Sequence, residues 1–214
     1  MPRSAPAELS PRQHILTSAA EVFADKGFEG AGVDEIARRA GVNKAMLYYH
    51  VGDKATLYAQ VLIANLDRVR SILEGALAQA EGAENRLRAL VAAIAEAVSH
   101  TPAYPRLVLR ELAGGGANLP REVLTRMAGL VELTAAVLAE GRTSGSFRAV
   151  DPVMTHLLIV AGVVVATTQP LRDRMAEAKV ALPTIAHLPA VAPPDFLSDI
   201  LLQGLRPRGA GGEL

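Results

Sequence analysis

The sequence predicts an all-α protein: a three-helix helix-turn-helix head at the N-terminus and a larger helical domain behind it. Three observations carry that prediction. Apolar residues recur at helical spacing along nearly the whole chain. No stretch alternates apolar and polar residues convincingly, and neither Asn-Gly nor Asp-Gly occurs to turn a hairpin. Helix-capping residues and glycine stops punctuate the apolar stripes at regular intervals.

The first helix starts at a strong signal. Ser10 is a good N-cap, Pro11 suits the first helical position, and Gln13 completes a capping box. Ile15, Ala19, Val22 and Phe23 form its stripe, and Gly27 is expected to end it. A short helix then carries Val33, Ile36, Ala37 and Ala40, closed by Gly41. Asn43 can cap a third helix from Lys44 to His50, and Gly52-Asp53 breaks it and caps a long fourth one. Leu62, Leu66, Val69, Leu73 and Leu77 line that fourth helix.

Leu87, Val91, Ile94 and Val98 mark a fifth helix, and Tyr104 to Ala113 a sixth, stopped by Gly114-Gly115-Gly116. Leu124, Met127, Val131, Thr134 and Leu138 mark a seventh, expected to end at Gly141, with Phe147 packing after it. Asp151-Pro152 opens an eighth, through Thr168. Residues 169–194 are proline-rich, with a short helix expected near Leu171 to Ala178. Asp195 is expected to cap a last helix ending near Leu205. The domains expected are residues 1–52 (DNA-binding head), 53–206 (effector-binding and dimerisation) and 207–214 (a disordered, glycine-rich tail).

Composition excludes several classes. The 214 residues include no cysteine, so neither disulfides nor thiolate metal sites are possible. The longest apolar run, Leu157 to Ala166, is ten residues, against the roughly 20 that span a bilayer. Met1 to Ser10 shows no secretory pattern, so a cytoplasmic location is expected. The five histidines show no metal-ligand spacing. No nucleophile elbow, phosphate loop or dinucleotide-binding glycine pattern is present, so neither catalysis nor a cofactor is expected. Lys plus Arg balances Asp plus Glu at 22 each, which leaves no global basic footprint. Arg38, Arg39, Lys44 and Lys54 nevertheless lie within seventeen residues.

The informative stretch is Ala31 to Lys54, two short helices separated by Gly41-Val42-Asn43. Ala37 and Ala40 are small where the helices must approach. Gly41 accepts the positive φ of a tight turn. Val42 and Leu47 can bury beneath the pair. That leaves Asn43, Lys44, Ala45, Met46, Tyr48, Tyr49 and His50 for an outer face, sized for a DNA major groove. Tyr49, His50 and Lys54 can donate to phosphates, helped by the N-terminus of the fourth helix.

These residues resemble the TetR/AcrR family signature. Gly27-Phe28, Val33-Asp34-Glu35-Ile36-Ala37, Ala40-Gly41-Val42-Asn43-Lys44, Leu47-Tyr48-Tyr49-His50-Val51 and Asp53-Lys54 fall in its order and spacing, over about residues 11 to 60. The resemblance implies a sequence-specific DNA-binding regulator with a helical ligand-binding and dimerisation unit from residue 61 onward. Three departures bear on the operator sequence. Gly32 stands where Ser or Thr is usual, Met46 replaces a small or hydroxyl residue, and Val51 replaces the commoner Phe.

The expected function is a homodimeric repressor released from double-stranded operator DNA by a small lipophilic ligand, with no membrane partner. Candidate ligand residues are Tyr104, Leu107, Arg110, Glu111, Met127, Val131 and His156. Arg110 and Glu111 sit on a mostly apolar helix and must be paired if they point inward. The candidate dimer interface is Leu157, Leu158, Ala161, Val164, Val165, Leu197 and Leu201, with Gly162 admitting a partner helix. Such a dimer would set its two reading helices about 34 Å apart. The alternative is a constitutive or architectural DNA-binding dimer whose second domain only dimerises or binds a protein partner.

Overall fold

A computed structural model describes residues 10–100, 103–167 and 193–207. The described residues form α1 (Pro11–Gly30), α2 (Val33–Arg39), α3 (Lys44–Val51), α4 (Lys54–Gln79), α5 (Ala83–Ser99), α6 (Ala103–Ala113), α7 (Arg121–Thr143), α8 (Pro152–Thr167) and α9 (Pro193–Leu205), with no strand among them. The all-α expectation holds. The short helix expected near Leu171 to Ala178 and most of the tail lie outside the described residues.

Local chemistry explains most of the helix starts. Ser10 Oγ accepts from the Gln13 backbone N–H at 3.3 Å, and the Gln13 side chain accepts from the Ser10 N–H at 2.8 Å. This reciprocal box closes two otherwise orphaned donors. Asn43 Oδ1 accepts from Met46 N–H at 2.8 Å, Asp53 Oδ1 from Thr56 N–H at 2.7 Å, and Asp151 Oδ1 from Met154 N–H at 2.8 Å. The Thr56 bond holds the Asp53 carboxyl below its ordinary pKa.

The helix break expected at Gly27 is there, at φ 73°, and a further turn carries α1 on to Gly30. Two other expected helix bounds are corrected. α7 passes through Gly141 to Thr143. α9 begins at Pro193, so Asp195 lies in its first turn rather than capping it. A first-turn acid still complements the helix dipole.

The chain forms two compact units. The first comprises residues up to Leu66 together with Arg106–Arg126; the second comprises Asp67–Pro105 with everything from Met127 onward. The division therefore differs from the expected boundary at 52/53. In the first unit α1, α2 and α3 pack on one another. Ile15, Phe23, Ile36, Leu47 and Leu57 are fully buried there. Tyr58 joins them, its ring edge-on to Phe23 at 4.8 Å and tilted against Phe28 at 5.1 Å. α6 from Arg106 onward belongs to this unit, and its polar groups find partners on α1 and α4. Arg106 pairs with Asp25 at 2.6 Å, and Glu111 accepts a hydrogen bond from the Tyr58 hydroxyl.

In the second unit α5, α8 and α9 pack mutually. The core of this unit includes Leu73, Leu87, Leu90, Val91, Ile159 and Val163. The buried face of α7 within this unit is Leu130, Thr134, Val137 and Leu138; Leu124, expected on the apolar stripe, falls in the first unit and is half-exposed. Gly162 meets Leu197 of the chain's own α9, 3.1 Å from where a Cβ would stand. Its smallness therefore serves an intrachain contact.

Candidate nucleic-acid interface

α3 is the second helix of a helix-turn-helix. Leu47 and Val51 face inward and are buried, and Gly41 and Gly52 adopt φ of 68° and 74° at its two ends. The opposite face carries Ala45, exposed, with Met46 at 46%, Tyr48 at 42% and Tyr49 at 85% exposure. Large side chains this open on a short capped helix gain nothing from the chain's own core. His50 is half-buried, its ring edge-on to Tyr49 at 5.3 Å.

The other expected DNA contacts are partly engaged already. Asn43 spends its carbonyl oxygen on the cap, which leaves its amide N–H pair outward. Lys44 Nζ is 2.9 Å from Asp34 Oδ1 and donates to Asp34 Oδ2 at 3.2 Å; this hydrogen bond raises the lysine pKa, and the side chain remains half-exposed. Lys54 is different. Its ammonium donates to the Glu29 carbonyl at 3.1 Å and sits 4.9 Å over the Phe28 ring. It clasps the end of α1 to the start of α4.

Several of the expected ligand residues are placed elsewhere. Arg110, Glu111 and Leu107 belong to the first unit. Arg110 lies over Gly27 and donates to the Asp25 carbonyl at 3.1 Å. Glu111 is buried against Tyr58, and Leu107 is fully buried. Leu107 and Glu111 belong to the core of the first unit, where a buried carboxyl must find a fixed partner, and Arg110 spans α6 and α1 from an exposed position. Tyr58 was missed by sequence reasoning. The available signal was a tyrosine on the buried face of α4, whose hydroxyl needs a partner.

In the second unit Tyr104, Met127 and Val131 are half-buried, and burial pushes the Tyr104 hydroxyl above its ordinary pKa. His156 is buried, and its Nδ1 shares a 2.8 Å hydrogen bond with the hydroxyl of Thr134. A ligand-sized groove of about 420 Å³ lies in this unit, but none of the expected ligand residues lines it.

Burial lowers the His156 pKa from 6.5 to about 4. The neutral ring is the folded form, while the unfolded chain takes up a proton below about 6.5. The contribution is thus complete above pH 6.5 and is lost as pH falls toward 4, by up to ~3 kcal/mol. Urea midpoints measured between pH 7 and 4.5 should fall for the native chain. The fall should be shallower in His156→Gln; equal slopes would show that the imidazole is not the titrating group.

The expected dimer residues divide. Leu158 and Val165 on α8 are exposed, at 58% and 63%. Val164 and Leu201 are buried in the chain's own core, which uses them up, and Leu157, Ala161 and Leu197 are half-buried. Met154, Phe196 and Ile200, not expected, are exposed at 64%, 57% and 51%.

A helical chain with a capped helix-turn-helix and an open second helix has the architecture of a helix-turn-helix regulator. Residues 15–61 match the model described as bacterial regulatory proteins, tetR family, and residues 84–175 match the tetracyclin repressor-like C-terminal domain. The chain belongs to the TetR family. Membership assigns it to DNA-binding regulators and not to enzymes.

Among curated relatives, the transcriptional activator FasR of Mycolicibacterium smegmatis is 41% identical over 97 residues, 45% of this chain and 44% of FasR. IcaR, a negative transcriptional regulator of the icaADBC biofilm operon in Staphylococcus aureus, is 32% identical over 62 residues, 29% of this chain and 33% of IcaR. The matches thus span less than half of either relative's length. The fold itself is shared more widely. The fatty acid degradation regulator FadR of Bacillus halodurans superposes with a TM-score of 0.67 at 20% identity, covering 97% of this chain and all of that one. AibR, solved with isovaleryl coenzyme A and operator DNA, gives 0.65 at 20% identity, covering 92% and 98%. No helix among the described residues is long and apolar enough to cross a membrane.

Proposed function

We propose that this protein is a homodimeric transcription regulator that reads double-stranded operator DNA with α3 and is released from it by a small molecule bound in the second unit. One observation carries the DNA-reading part. α3 is held from beneath by Leu47 and Val51 while Met46, Tyr48 and Tyr49 stand open on its outer face. Met46 suits a thymine methyl, and the tyrosine hydroxyls and the Asn43 amide suit base edges or phosphates. Lys54, committed to Glu29 and Phe28, is a positioning residue in this reading and not a phosphate contact.

Self-association is supported by the exposed apolar residues on α8 and α9, an unusual concentration for a surface left in water. Regulation by a ligand is supported by the family's C-terminal domain and by AibR, solved with both an acyl-coenzyme A and operator DNA. A ligand acts here only through its differential affinity for DNA-competent and incompetent states.

The test is a fluorescence-anisotropy titration of the full chain with fragments from its own upstream region, at two salt concentrations. Tight, salt-sensitive binding to a near-palindromic site is expected. Tyr49→Ala should weaken it by about 10- to 100-fold, or ~1–3 kcal/mol. Lys44→Ala should weaken all sequences alike and flatten the salt dependence. Non-selective binding at both salts would overturn the reading. Ligands that never change operator affinity would remove the regulatory part alone and favour a constitutive DNA-binding dimer.

A further inference from the structure

The groove in the second unit has a composition that neither the DNA-reading face nor the apolar α8–α9 surface explains. Its lining includes Ala135, Leu138 and Ala139 on α7, Val150 ahead of α8, and two arginines, Arg142 and Arg148. Its volume of about 420 Å³ lies within the range of sites for small molecules. The nearest acids along the chain are occupied elsewhere. Glu140 is paired with Arg86 at 2.6 Å, and Asp151 caps α8. Among the described residues no carboxylate pairs with either groove arginine.

Arg148 is also held in place. Its Nε donates to the Gly204 carbonyl at 2.8 Å, and its backbone N–H to the Leu205 carbonyl at 2.8 Å. One edge of the guanidinium is thereby fixed on the end of α9, while the terminal N–H groups are left over. Arg142, exposed in the last turn of α7, has its whole fork available. A guanidinium matches a carboxylate or phosphate oxygen pair. Helix-end capping accounts for the Nε contact of Arg148 and for a positive charge near the end of α7. It does not account for a hollow lined by apolar side chains together with two arginines that no carboxylate among the described residues pairs.

We propose that this groove binds an amphipathic anion, with an aliphatic body over Leu138, Ala139 and Val150 and an oxyanion head on Arg142 and Arg148. The site is independent of the effector reading above: it can be occupied whether or not operator affinity changes. Sodium decanoate, below its micelle-forming concentration, is a suitable probe, with decanol and inorganic phosphate as controls for body and head.

Titration calorimetry on the full chain should show saturable binding of one decanoate per protomer. Arg142→Gln should weaken it at least tenfold, because an exposed cation is lost without disturbing the core. Ala139→Phe should abolish it by filling the groove from an exposed position. Decanol and phosphate should each bind at least tenfold more weakly than decanoate. No decanoate binding, equal binding in both variants, or decanol binding as tightly as decanoate would overturn the proposal. Anisotropy with operator DNA separates the two readings. Groove binding with unchanged operator affinity leaves the site standing and removes decanoate as an effector. Operator release that persists in both variants, while decanoate binding is lost in them, places the effector elsewhere and leaves the groove standing.

Discussion

Replacing Tyr58 by alanine should lower the unfolding free energy by about 3–5 kcal/mol, as for other large aromatic truncations in packed cores. The ring is 1% exposed and touches both Phe23 and Phe28. Two losses combine in the variant. The aromatic cluster that joins α1 to α4 acquires a cavity, and the Glu111 carboxyl, 7% exposed, loses its hydroxyl donor. Tyr58→Phe separates them. It keeps the ring and should cost only the stranded polar group, ~1–3 kcal/mol. Adding Glu111→Leu to Tyr58→Phe should recover part of that cost, because an apolar pair needs no partner. Urea unfolding followed by far-ultraviolet circular dichroism measures all three. A fully additive Tyr58→Phe/Glu111→Leu pair would show that the two side chains do not interact.

The second large effect is expected at Gly141. An added Cβ would stand 1.8 Å from Cδ2 of Phe147 and 2.4 Å from Cε2. Phe147 is 3% exposed, and its N–H donates to the Gly141 carbonyl at 2.9 Å, so the ring has little freedom to retreat. Alanine in a helix gains ~1 kcal/mol over glycine. Displacing a buried phenylalanine forfeits up to ~3 kcal/mol of burial. The balance is a loss of about 2 kcal/mol, a fall in Tm of ~4–8 °C for a chain of this size. Gly75→Ala is the control, since nothing lies within 4 Å of that position on α4. It should raise stability by up to ~1 kcal/mol. A Gly141→Ala variant that behaves like Gly75→Ala would mean that Phe147 is free to move.

The sequence by itself determined most of the described helices, several of their caps and the helix-turn-helix. These rest on contacts within four residues, such as Ser10 with Gln13 or Asn43 with Met46, so spacing and residue type suffice to read them. The outer face of α3 was legible for the same reason: once Leu47 is assigned inward, helical geometry directs Met46 and Tyr49 outward. Local patterning could not show that Gly141 is a space for Phe147 and not a helix stop, or that Gly162 receives the chain's own Leu197. Nor could it show that Glu111 answers to Tyr58, 53 residues away, or that Lys54 turns back onto Phe28. Those outcomes depend on which surfaces tertiary packing brings together. A side chain's type states that it needs a partner, and only the folded chain decides which partner lies within reach.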